Sequence, residues 1–392
     1  MYELKAVLKS PLMIGGKTLN SNYRESRDYI PGSVLRAAYA KALIQRCSCT
    51  QENYWLDYKA QSHCEKCRFR EICKNFAEIT FPALYPMGSV PYPITAREKK
   101  YKNKGEKSVL DILKCRLVTH EKAKEESAWK RLEGLNKDGT AVRLIHSAVT
   151  RTAIDYRRNA SKEGALYTQN VILEKYLDEN QEMSDVVFSG RIRISKEEAE
   201  ELGHIGILHI GADITRGFGV CHMSCIENGD DDTPEKIERR IQEFNDGIGK
   251  EGQFVILDLQ TDAYLGLEEI GEDNLSQAAI SDEQMLAFLE KKIGLPREKY
   301  HLRKVYKLQE ILRGFDTSKK TEKEMRRLGR LVVKAGAVFI YQAPSKEIDG
   351  KELLQFEKTG IGENVKHGFG RVRICDSFHT KYDVLKGEDK NE

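Results

Sequence analysis

The chain has 392 residues, enough for two domains that each bury a hydrophobic core. Its formal net charge is only +3 although 32% of the residues are charged, so any nucleic-acid partner must be argued from local clusters of cations. No run of about 18 apolar residues occurs, and residues 1–16 contain Glu3, Lys5 and Lys9, which argues against a membrane span and a signal peptide. We therefore expect a cytoplasmic protein.

The first predicted elements are a strand and a helix. Residues 2–9 alternate between apolar and charged side chains, which predicts a strand with one buried face. The helix begins near Gly32 or Ser33, either of which can cap it. Free N–H groups at this helix start, beside Arg36, could hold a phosphate group. The same residues also fit a helix start that binds no ligand.

Cysteines cluster in the next segment. The chain has nine cysteines, an odd number, and five of them lie between residues 47 and 73. In a reducing compartment this pattern indicates a metal rather than disulfides. The pattern predicts a structural zinc ion bound by Cys64, Cys67 and Cys73, with Cys47 or Cys49 as the fourth ligand and His63 as a remote substitute. The alternative is a set of free thiols.

Two basic clusters follow. Residues 95–107 carry six cations against two acids, and the candidate RNA contacts among them are Arg97, Lys99, Lys100 and Lys102. This run predicts a flexible arm on an RNA backbone, or else an ordinary solvated loop. The second cluster lies in predicted β-structure with one basic face and comprises Arg143, His146, Arg151, Arg157 and Arg158.

The remaining periodic segments alternate between strands and helices. The predicted strands are 186–194, 221–226, 253–259 and 331–341, with alternation also over 299–315. The predicted helices are 196–202, 283–293 and 351–358. The acidic, turn-rich run 227–232 is the best candidate for a linker between two domains.

A glycine-rich loop occurs twice. Gly211, Gly217, Phe218 and Gly219 correspond at one constant offset to a second set, which comprises Gly362, Gly368, Phe369 and Gly370. Neither copy is a dinucleotide-binding fingerprint, because that motif opens a helix, whereas these loops open a strand. The repeat therefore predicts two related halves.

Each loop also carries a cation, Arg216 in the first and Lys366 with His367 in the second. Glycine amides can bind phosphate, a cation adds charge, and Phe218 or Phe369 offers a face for base stacking. This combination suits single-stranded nucleic acid, although each loop alone also fits a tight turn. In the first loop the candidate contacts are Arg216, Gly217 and Phe218.

The helix start at 30–36, the segments 142–155 and 164–167 and the two glycine loops together resemble the RAMP superfamily of CRISPR-associated proteins. Their arrangement is most similar to the two-domain subunit that caps the crRNA 5′ end in type III-D effector complexes. The resemblance implies an α+β fold with two ferredoxin-like domains, 1–228 and 250–380. The first would carry a zinc-binding insertion at about 46–76 and a basic hairpin insertion at about 95–170. The second half lacks the helix start.

The resemblance implies a cytoplasmic, RNA-binding structural subunit that holds the 5′ tag of the guide RNA in antiviral defence. Its partners would be the guide RNA and other effector subunits, with target RNA as a further candidate. No Gly-x-Ser-x-Gly, His-Glu-x-x-His or Walker motif occurs, so we predict no catalysis. The alternative is a RAMP endoribonuclease that uses His146, His367 or Asp28, although the residues around Asp28 do not reproduce a Gly-Gly-x-Asp loop.

Overall fold

The computed structural model describes residues 1–20, 22–47, 56, 58, 64–101, 109–118, 129–177, 181–229, 232–248, 252–267, 282–312, 329–343 and 348–383. Within this part of the chain the fold is mixed α+β. The strands are β1 Tyr2–Leu8, β2 Gly15–Asn20, β3 Tyr23–Ser26, β4 Tyr85–Pro86, β5 Val90–Pro91, β6 Ala96–Lys99, β7 Val109–Asp111, β8 Trp129–Arg131, β9 Leu135–Lys137, β10 Thr140–Val142, β11 His146–Asp155, β12 Ala160–Ile172, β13 Lys175–Leu177, β14 Met183–Asp185, β15 Val187–Ile192, β16 Ile207–His209, β17 Val220–Glu227, β18 Gln253–Leu259, β19 His301–Tyr306, β20 Gln309–Leu312, β21 Arg330–Val333, β22 Val338–Ala343 and β23 Val372–Ile374. The helices are α1 Gly32–Arg46, α2 Arg70–Asn75, α3 Leu113–Val118, α4 Lys196–Gly203, α5 Pro234–Asn245, α6 Asp282–Ile293, α7 Gly350–Thr359 and α8 Phe378–Lys381.

The chain divides into two compact units. The first contains Met1–Ser89, Val142–Asp231 and the short segment Lys366–Gly368. The second contains Val90–Ala141, Asp232–Val365 and Phe369–Glu392. The predicted basic insertion of about 95–170 is therefore divided between the units. Its residues up to Ala141 belong to the second unit, and those from Val142 onward belong to the first.

The first unit is built on a sheet with the strand order β16-β17-β1-β15-β4. Strand β1 pairs antiparallel with β15 on one side and β17 on the other, so that Leu4 lies between Gly190 and Cys225. The alternation that predicted β1 reflects this central position, since Leu4, Ala6 and Leu8 are fully buried. Helix α1 packs on the same core through its own apolar face, which includes Leu35, Tyr39 and Leu43.

Helix α4 begins at a capping box. The Ser195 side chain accepts a hydrogen bond from the Glu198 backbone, and the Glu198 side chain accepts one from the Ser195 backbone. This arrangement satisfies two amide groups that a helix start leaves unpaired, which explains why the acidic run is helical. The predicted helix at 196–202 and the predicted strands on either side of it are confirmed within two residues.

A second sheet in the first unit has the order β11-β12-β3-β2. Its main feature is the long hairpin of β11 and β12, which turns at residues 156–159. Strand β12 also pairs in parallel with β3. The sequence predicted β-structure at the start of this hairpin from its alternation.

The second unit repeats the strand arrangement of the first. Its sheet has the order β19-β22-β18-β23, and all its neighbours are antiparallel. Helix α6 lies in the chain between β18 and β19, and α7 between β22 and β23. In the first unit, without β16, the strands along the chain are β1, β4, β15 and β17; in the second they are β18, β19, β22 and β23. If each set is numbered 1 to 4 in this order, the strands of both sheets lie side by side in the order 4-1-3-2. The predicted central strand at 253–259 has the bounds of β18, in which residues 255–259 are all buried.

Two predictions differ from the structure in this unit. The apolar segment 331–341 is not one strand, because Gly336, at φ 88°, turns the chain between β21 and β22. Helix α5 was missed, although Thr233 caps it, Pro234 occupies its first turn, and Ile237, Ile241 and Phe244 are buried at helical spacing. In the described part of the chain, no helix is both long enough and apolar enough to cross a membrane.

Candidate nucleic-acid interface

The two glycine loops have the same backbone conformation. Each contains a short 3-10 turn, Ile214–Arg216 in the first and Val365–His367 in the second. The residue before each turn is left-handed, Asp213 at φ 56° and Asn364 at φ 58°. The glycines that follow are left-handed as well, Gly219 at 72° and Gly370 at 67°. The internal repeat predicted from the sequence is therefore also a repeat of backbone conformation.

The hydrogen bonds of the two loops also correspond. The Ile210 amide donates to the Gly219 carbonyl, and at the same offset the Ile361 amide donates to the Gly370 carbonyl, both at 2.8 Å. Each loop is tied to the segment after the first strand of its sheet. The Gly219 amide donates to Pro11 at 2.8 Å, and the Gly370 amide donates to Asp262 at 2.9 Å.

A side chain completes each attachment. The Val220 amide donates to the Ser10 hydroxyl at 2.9 Å, and the Arg371 amide donates to the Thr261 hydroxyl at 3.0 Å. Ser10 and Thr261 are structurally equivalent, because each accepts a hydrogen bond from the residue that follows the last glycine of its loop. The loops are thus built as anchored turns at the start of the fourth strand of each sheet.

This construction changes how the first loop could bind an anion. Its amide groups donate within the protein, those of Ala212, Arg216, Gly217, Phe218 and Gly219 all being bonded to backbone carbonyls. Backbone groups engaged in this way are not available as a phosphate cradle. The amides of Gly217 and Gly219, which the sequence suggested as phosphate donors, are thus already engaged within the protein, and the positive charge at this loop comes from side chains.

Four side chains meet at the first loop. The Arg216 guanidinium donates to the Tyr167 hydroxyl at 2.6 Å and to the Asp213 carboxylate at 3.3 Å. Arg151, on β11, places its Nη1 atom 3.8 Å from the other oxygen of Asp213. Arg151 and Tyr167 face each other across the β11–β12 hairpin, where their Cα positions are paired. The structure therefore brings together two predicted contacts, Arg151 and Arg216, and adds Tyr167 and Asp213, which the sequence reasoning did not identify.

Phe218 does not present a stacking face. Its side chain is 7% exposed and packs against Met13 and Val171. The guanidinium of Arg151 lies 4.5 Å from the ring centroid and covers it. In the second unit Phe369 is half-buried and packs on Tyr264, with the ring centroids 4.8 Å apart.

The tip of the β11–β12 hairpin is exposed and basic. Arg157 and Arg158 lie in its turn, where the Arg157 amide donates to Asp155 at 3.0 Å. Tyr156 is 87% exposed, and the apolar side chains of Ile154 and Leu166 are also exposed. Cations beside exposed aromatic and apolar groups suit a surface that meets nucleic acid or a partner.

The start of α1 is largely covered. Gly32 is buried, and a Cβ atom there would meet the carbonyl oxygens of Phe81 and His367. Arg36 donates to the Ile79 carbonyl at 2.8 Å, and its guanidinium lies 4.8 Å from the Phe76 ring centroid. Ser33 is half-buried. Packing thus accounts for Gly32 and Arg36 without a phosphate.

The cations of the segment Lys366–Gly368 also have protein neighbours. The Lys366 ammonium pairs with Glu78 at 2.7 Å. His367 lies near Arg36, and burial together with the charge of Arg36 lowers the pKa of its imidazole. A neutral His367 would contribute no charge to phosphate binding near neutral pH.

The other predicted contacts are dispersed. Arg143 is exposed. Arg97 donates to the carbonyls of Ile94 and Ala96 at 2.7 and 2.9 Å. Lys99 is half-buried and Lys100 exposed, and Lys102 lies outside the described residues. These three described cations of the first basic cluster belong to the second unit.

His146 is paired with Asp28. The imidazole Nε2 atom lies 3.0 Å from a carboxylate oxygen of Asp28, and Nδ1 lies 3.2 Å from the Leu144 carbonyl. Two of the three residues considered for catalysis are therefore in contact. A carboxylate beside a histidine orients the imidazole.

The described cysteines of the predicted zinc site lie near one another. The Cys67 amide donates to the Cys64 carbonyl at 3.2 Å, which closes the turn between them. Burial, together with the thiols of Cys67, Cys47 and Cys64, raises the pKa of Cys73 to about 12. Among the described residues no three potential ligands reach a metal-binding arrangement, and Cys49 and His63 lie outside them.

A buried ionic cluster in the second unit was not predicted. His379 is fully buried between two carboxylates, with Nδ1 bonded to Asp111 and Nε2 2.7 Å from Asp258. Burial alone lowers the pKa of His379, but the charges of Asp258 and Asp111 outweigh it and hold the pKa well above its usual value. No local pattern indicates this cluster, because its histidine is at least 121 positions away from either carboxylate in the sequence.

No protein-family model and no curated protein matches the chain. Among solved structures, it is similar to a chain of the type III-B Cmr-beta complex bound to cognate target RNA, at 13% identity over 87% of this chain and 86% of that chain, with a TM-score of 0.42. It is also similar to a chain of the Csm3-Csm4 subcomplex of the type III-A CRISPR-Cas interference complex, at 11% identity over 86% of this chain and 92% of that chain, with a TM-score of 0.33. Both likenesses are weak, so the function must be inferred from the residues themselves.

Proposed function

We propose that the chain is a RAMP-like, RNA-binding structural subunit of a type III CRISPR-Cas effector complex, which holds the 5′ tag of the guide RNA in the cytoplasm. The observation that carries the proposal is the cluster at the first loop, where Arg151, Tyr167 and Arg216 meet beside a basic hairpin. Guanidinium groups are the preferred partners of phosphate in proteins.

The fold supports this proposal. An antiparallel sheet of order 4-1-3-2, with one helix between its first and second strands and another between its third and fourth, is the arrangement of a ferredoxin-like domain. Both units have it. We therefore propose two ferredoxin-like domains, each with an anchored glycine loop before its fourth strand. Within the described residues the two-arginine cluster is found at the first loop, so we assign RNA binding mainly to the first unit.

The test is guide-RNA binding by the full chain. Arg151→Ala and Arg216→Ala should each weaken binding to a single-stranded repeat-derived RNA, by about tenfold or more, because a charge-assisted hydrogen bond contributes roughly 1.5 to 3 kcal/mol. The slope of the logarithm of RNA affinity against the logarithm of salt concentration should become shallower by about 0.7 for each phosphate contact removed. Arg239→Ala is the matched control, since Arg239 is exposed on α5 with Glu243 as its neighbour. Equal affinity for the wild type and all three variants would overturn the proposal.

Copurification gives an independent test of the biological context. The chain expressed together with its neighbouring genes should copurify with other effector subunits and with a short RNA that begins with repeat sequence. Sequencing that RNA identifies which end the complex protects. A chain that purifies alone, without RNA, under these conditions would contradict the assignment to an effector complex.

We also propose a structural zinc ion at the cysteine cluster. Cys64, Cys67 and Cys73 would supply three thiolate ligands, and Cys47 or Cys49 the fourth. Thiolates in a short turn suit tetrahedral Zn²⁺, and the ion would hold together a segment too small to form its own core. The turn that the Cys67 amide closes on the Cys64 carbonyl supports the proposal, because it brings these two cysteines close together in the chain's fold.

A second candidate function is metal-independent RNA cleavage, which the contact between His146 and Asp28 favours. A histidine oriented by a carboxylate can remove a proton from a 2′-hydroxyl group. Incubation with repeat RNA and with complementary target RNA tests this directly. Cleavage that His146→Ala and Asp28→Asn both abolish, while His301→Gln does not, would replace the structural proposal with the catalytic one.

A further inference from the structure

Asp213 occupies the centre of the cluster at the first loop. One of its carboxylate oxygens lies 3.3 Å from the Arg216 guanidinium, and the other lies 3.8 Å from that of Arg151. Two positive groups therefore share one negative group. The net charge of the three side chains is +1, where the two arginines alone would carry +2.

The backbone that carries this carboxylate is fixed by the turn. The backbone of Asp213 is left-handed, and its carbonyl accepts hydrogen bonds from the amides of Arg216 and Phe218. The Oδ2 atom is buried and, within the part of the chain that the structure describes, accepts no hydrogen bond. An oxygen in this state gains stability only from nearby positive charge, which ties Asp213 electrostatically to Arg151.

We propose that Arg151, Arg216 and Tyr167 form a phosphodiester-binding site and that Asp213 is its internal counter-ion, which limits the affinity of the site for RNA. The proposal rests on the RNA-binding function proposed above and adds a role for Asp213. The carboxylate occupies one side of each guanidinium, so a phosphate binds to fewer donors than the arginines possess. Contact at this site alone is then weak, and stable binding requires further contacts along the RNA.

The second loop provides an internal comparison. The position equivalent to Asp213 is Asn364, which has the same left-handed backbone. An amide is thus compatible with this turn, and the negative charge is not needed to build it. At this position the first loop therefore has a carboxylate and the second loop an amide, and in the second loop the neighbouring Glu363 pairs with Arg330 instead.

The substitution Asp213→Asn tests the inference, because asparagine keeps the shape and the left-handed conformation while removing the charge. We expect about three- to tenfold tighter binding of single-stranded RNA by the full chain, since each partly exposed ion pair released is worth on the order of 1 kcal/mol. The salt slope should steepen by about 0.7 for each additional phosphate that the variant neutralises. The melting temperature should remain close to that of the wild type.

The matched control is Asp138→Asn. Asp138 is also left-handed, at φ 49°, and pairs with a single cation, Lys381 at 3.6 Å, in the second unit. This change has the same effect on net charge and backbone preference but does not touch the arginine cluster. Repeating both measurements with single-stranded DNA of the same sequence separates phosphate recognition from recognition of the 2′-hydroxyl.

The outcomes are distinguishable. Tighter RNA binding by Asp213→Asn but not by Asp138→Asn supports the inference, and a similar increase in affinity on DNA identifies the phosphodiester as the recognised group. If the wild type binds RNA and Asp213→Asn binds it equally well or more weakly, the inference is overturned. The proposed function remains intact in that case. An equal increase in both variants also overturns it, because net charge then explains the effect. No RNA binding by any variant would overturn the proposed function itself.

Discussion

The guanidinium of Arg151 lies over the ring of Phe218, 4.5 Å from its centroid, and shields the only phenylalanine of the first glycine loop from solvent. The pair belongs to two segments that are 67 positions apart in the sequence, a strand of the hairpin and the loop. Phe218 therefore acts as a packed support that positions the arginine above it. The arginine, not the ring, is the part that can meet RNA.

Replacing Phe218 by Leu tests this division of roles. We expect a loss of roughly 1 to 2 kcal/mol in the free energy of unfolding, because the ring is 7% exposed and leucine fills less of its space. RNA affinity should change by less than about threefold, whereas loss of a stacking platform would cost about 1 to 3 kcal/mol for each stacked base. Denaturant unfolding and RNA titration of the same preparation decide between the two. A large loss of affinity in a variant of normal stability would restore Phe218 as a stacking residue.

Two glycines of the first loop should respond differently to alanine. Both are left-handed, Gly217 at φ 90° and Gly219 at φ 72°, so each substitution incurs backbone strain of about 1 to 2 kcal/mol. Only at Gly219 would the new Cβ atom also collide with a backbone atom, the Ile210 carbonyl oxygen, since the space around Gly217 is open. Gly219→Ala should therefore lower the melting temperature clearly more than Gly217→Ala. Equal effects would show that the tight Ile210 to Gly219 contact is not maintained in solution.

The buried His379 predicts a pH dependence. Its pKa is raised in the folded state, so the folded protein binds this proton more tightly than the unfolded chain does. The stabilisation is fully present below the unfolded value of about 6.5 and is lost as the pH rises through the folded pKa. We expect the melting temperature of the second unit to fall as the pH is raised above about 6.5 for this reason.

His379→Gln removes the cation that neutralises Asp111 and Asp258. Leaving two buried carboxylates uncompensated should cost about 3 to 5 kcal/mol near neutral pH. The control is His301→Gln, because His301 is exposed in the same unit. Thermal unfolding between about pH 6 and pH 9, a range that begins below the unfolded pKa of about 6.5 and extends well above it, measures the effect. A variant with the stability and the pH profile of the control would show that the cluster is not ionised as described.

The zinc proposal predicts about one metal ion per chain in protein prepared without chelator. Cys64→Ser or Cys67→Ser should remove the metal and increase proteolysis near the cysteine segment. Cys115→Ser is the matched control, since Cys115 is a buried cysteine in the other unit, outside the cysteine segment. Elemental analysis is decisive, and a metal-free wild type would leave the cysteines as free thiols.

Much of the fold was predictable because it is encoded locally. The period-2 pattern of residues 2–9 and the apolar run 253–259 predicted the central strand of each sheet. The glycines and the residues between them predicted a repeated loop, because a left-handed backbone strongly favours glycine. Helix α5 carries a clear local signal as well, a threonine cap followed by proline and apolar residues at helical spacing, although it was not predicted.

The candidate site was only partly predictable. Arg151 and Arg216 could be named as cations near recognisable motifs, but their shared contact with Asp213 depends on how the hairpin packs on the loop. The sequence suggested that Gly32 and Arg36 bind phosphate. In the structure, close packing against Phe81 explains the glycine, and contact with the Phe76 ring explains the arginine. Residue types identify chemistry, while long-range contacts decide which groups remain available to a ligand.

The central position of β1 has a consequence for folding during synthesis. This strand leaves the ribosome long before its two partners in the sheet, β15 and β17, which end at residues 192 and 227. At a synthesis rate of about 5 to 20 residues per second, the apolar face of β1 remains without its second partner strand for roughly 10 to 45 seconds. The core of the first unit therefore closes late, around a strand that chaperones would have to protect, and a truncated chain that stops before β17 should aggregate rather than fold.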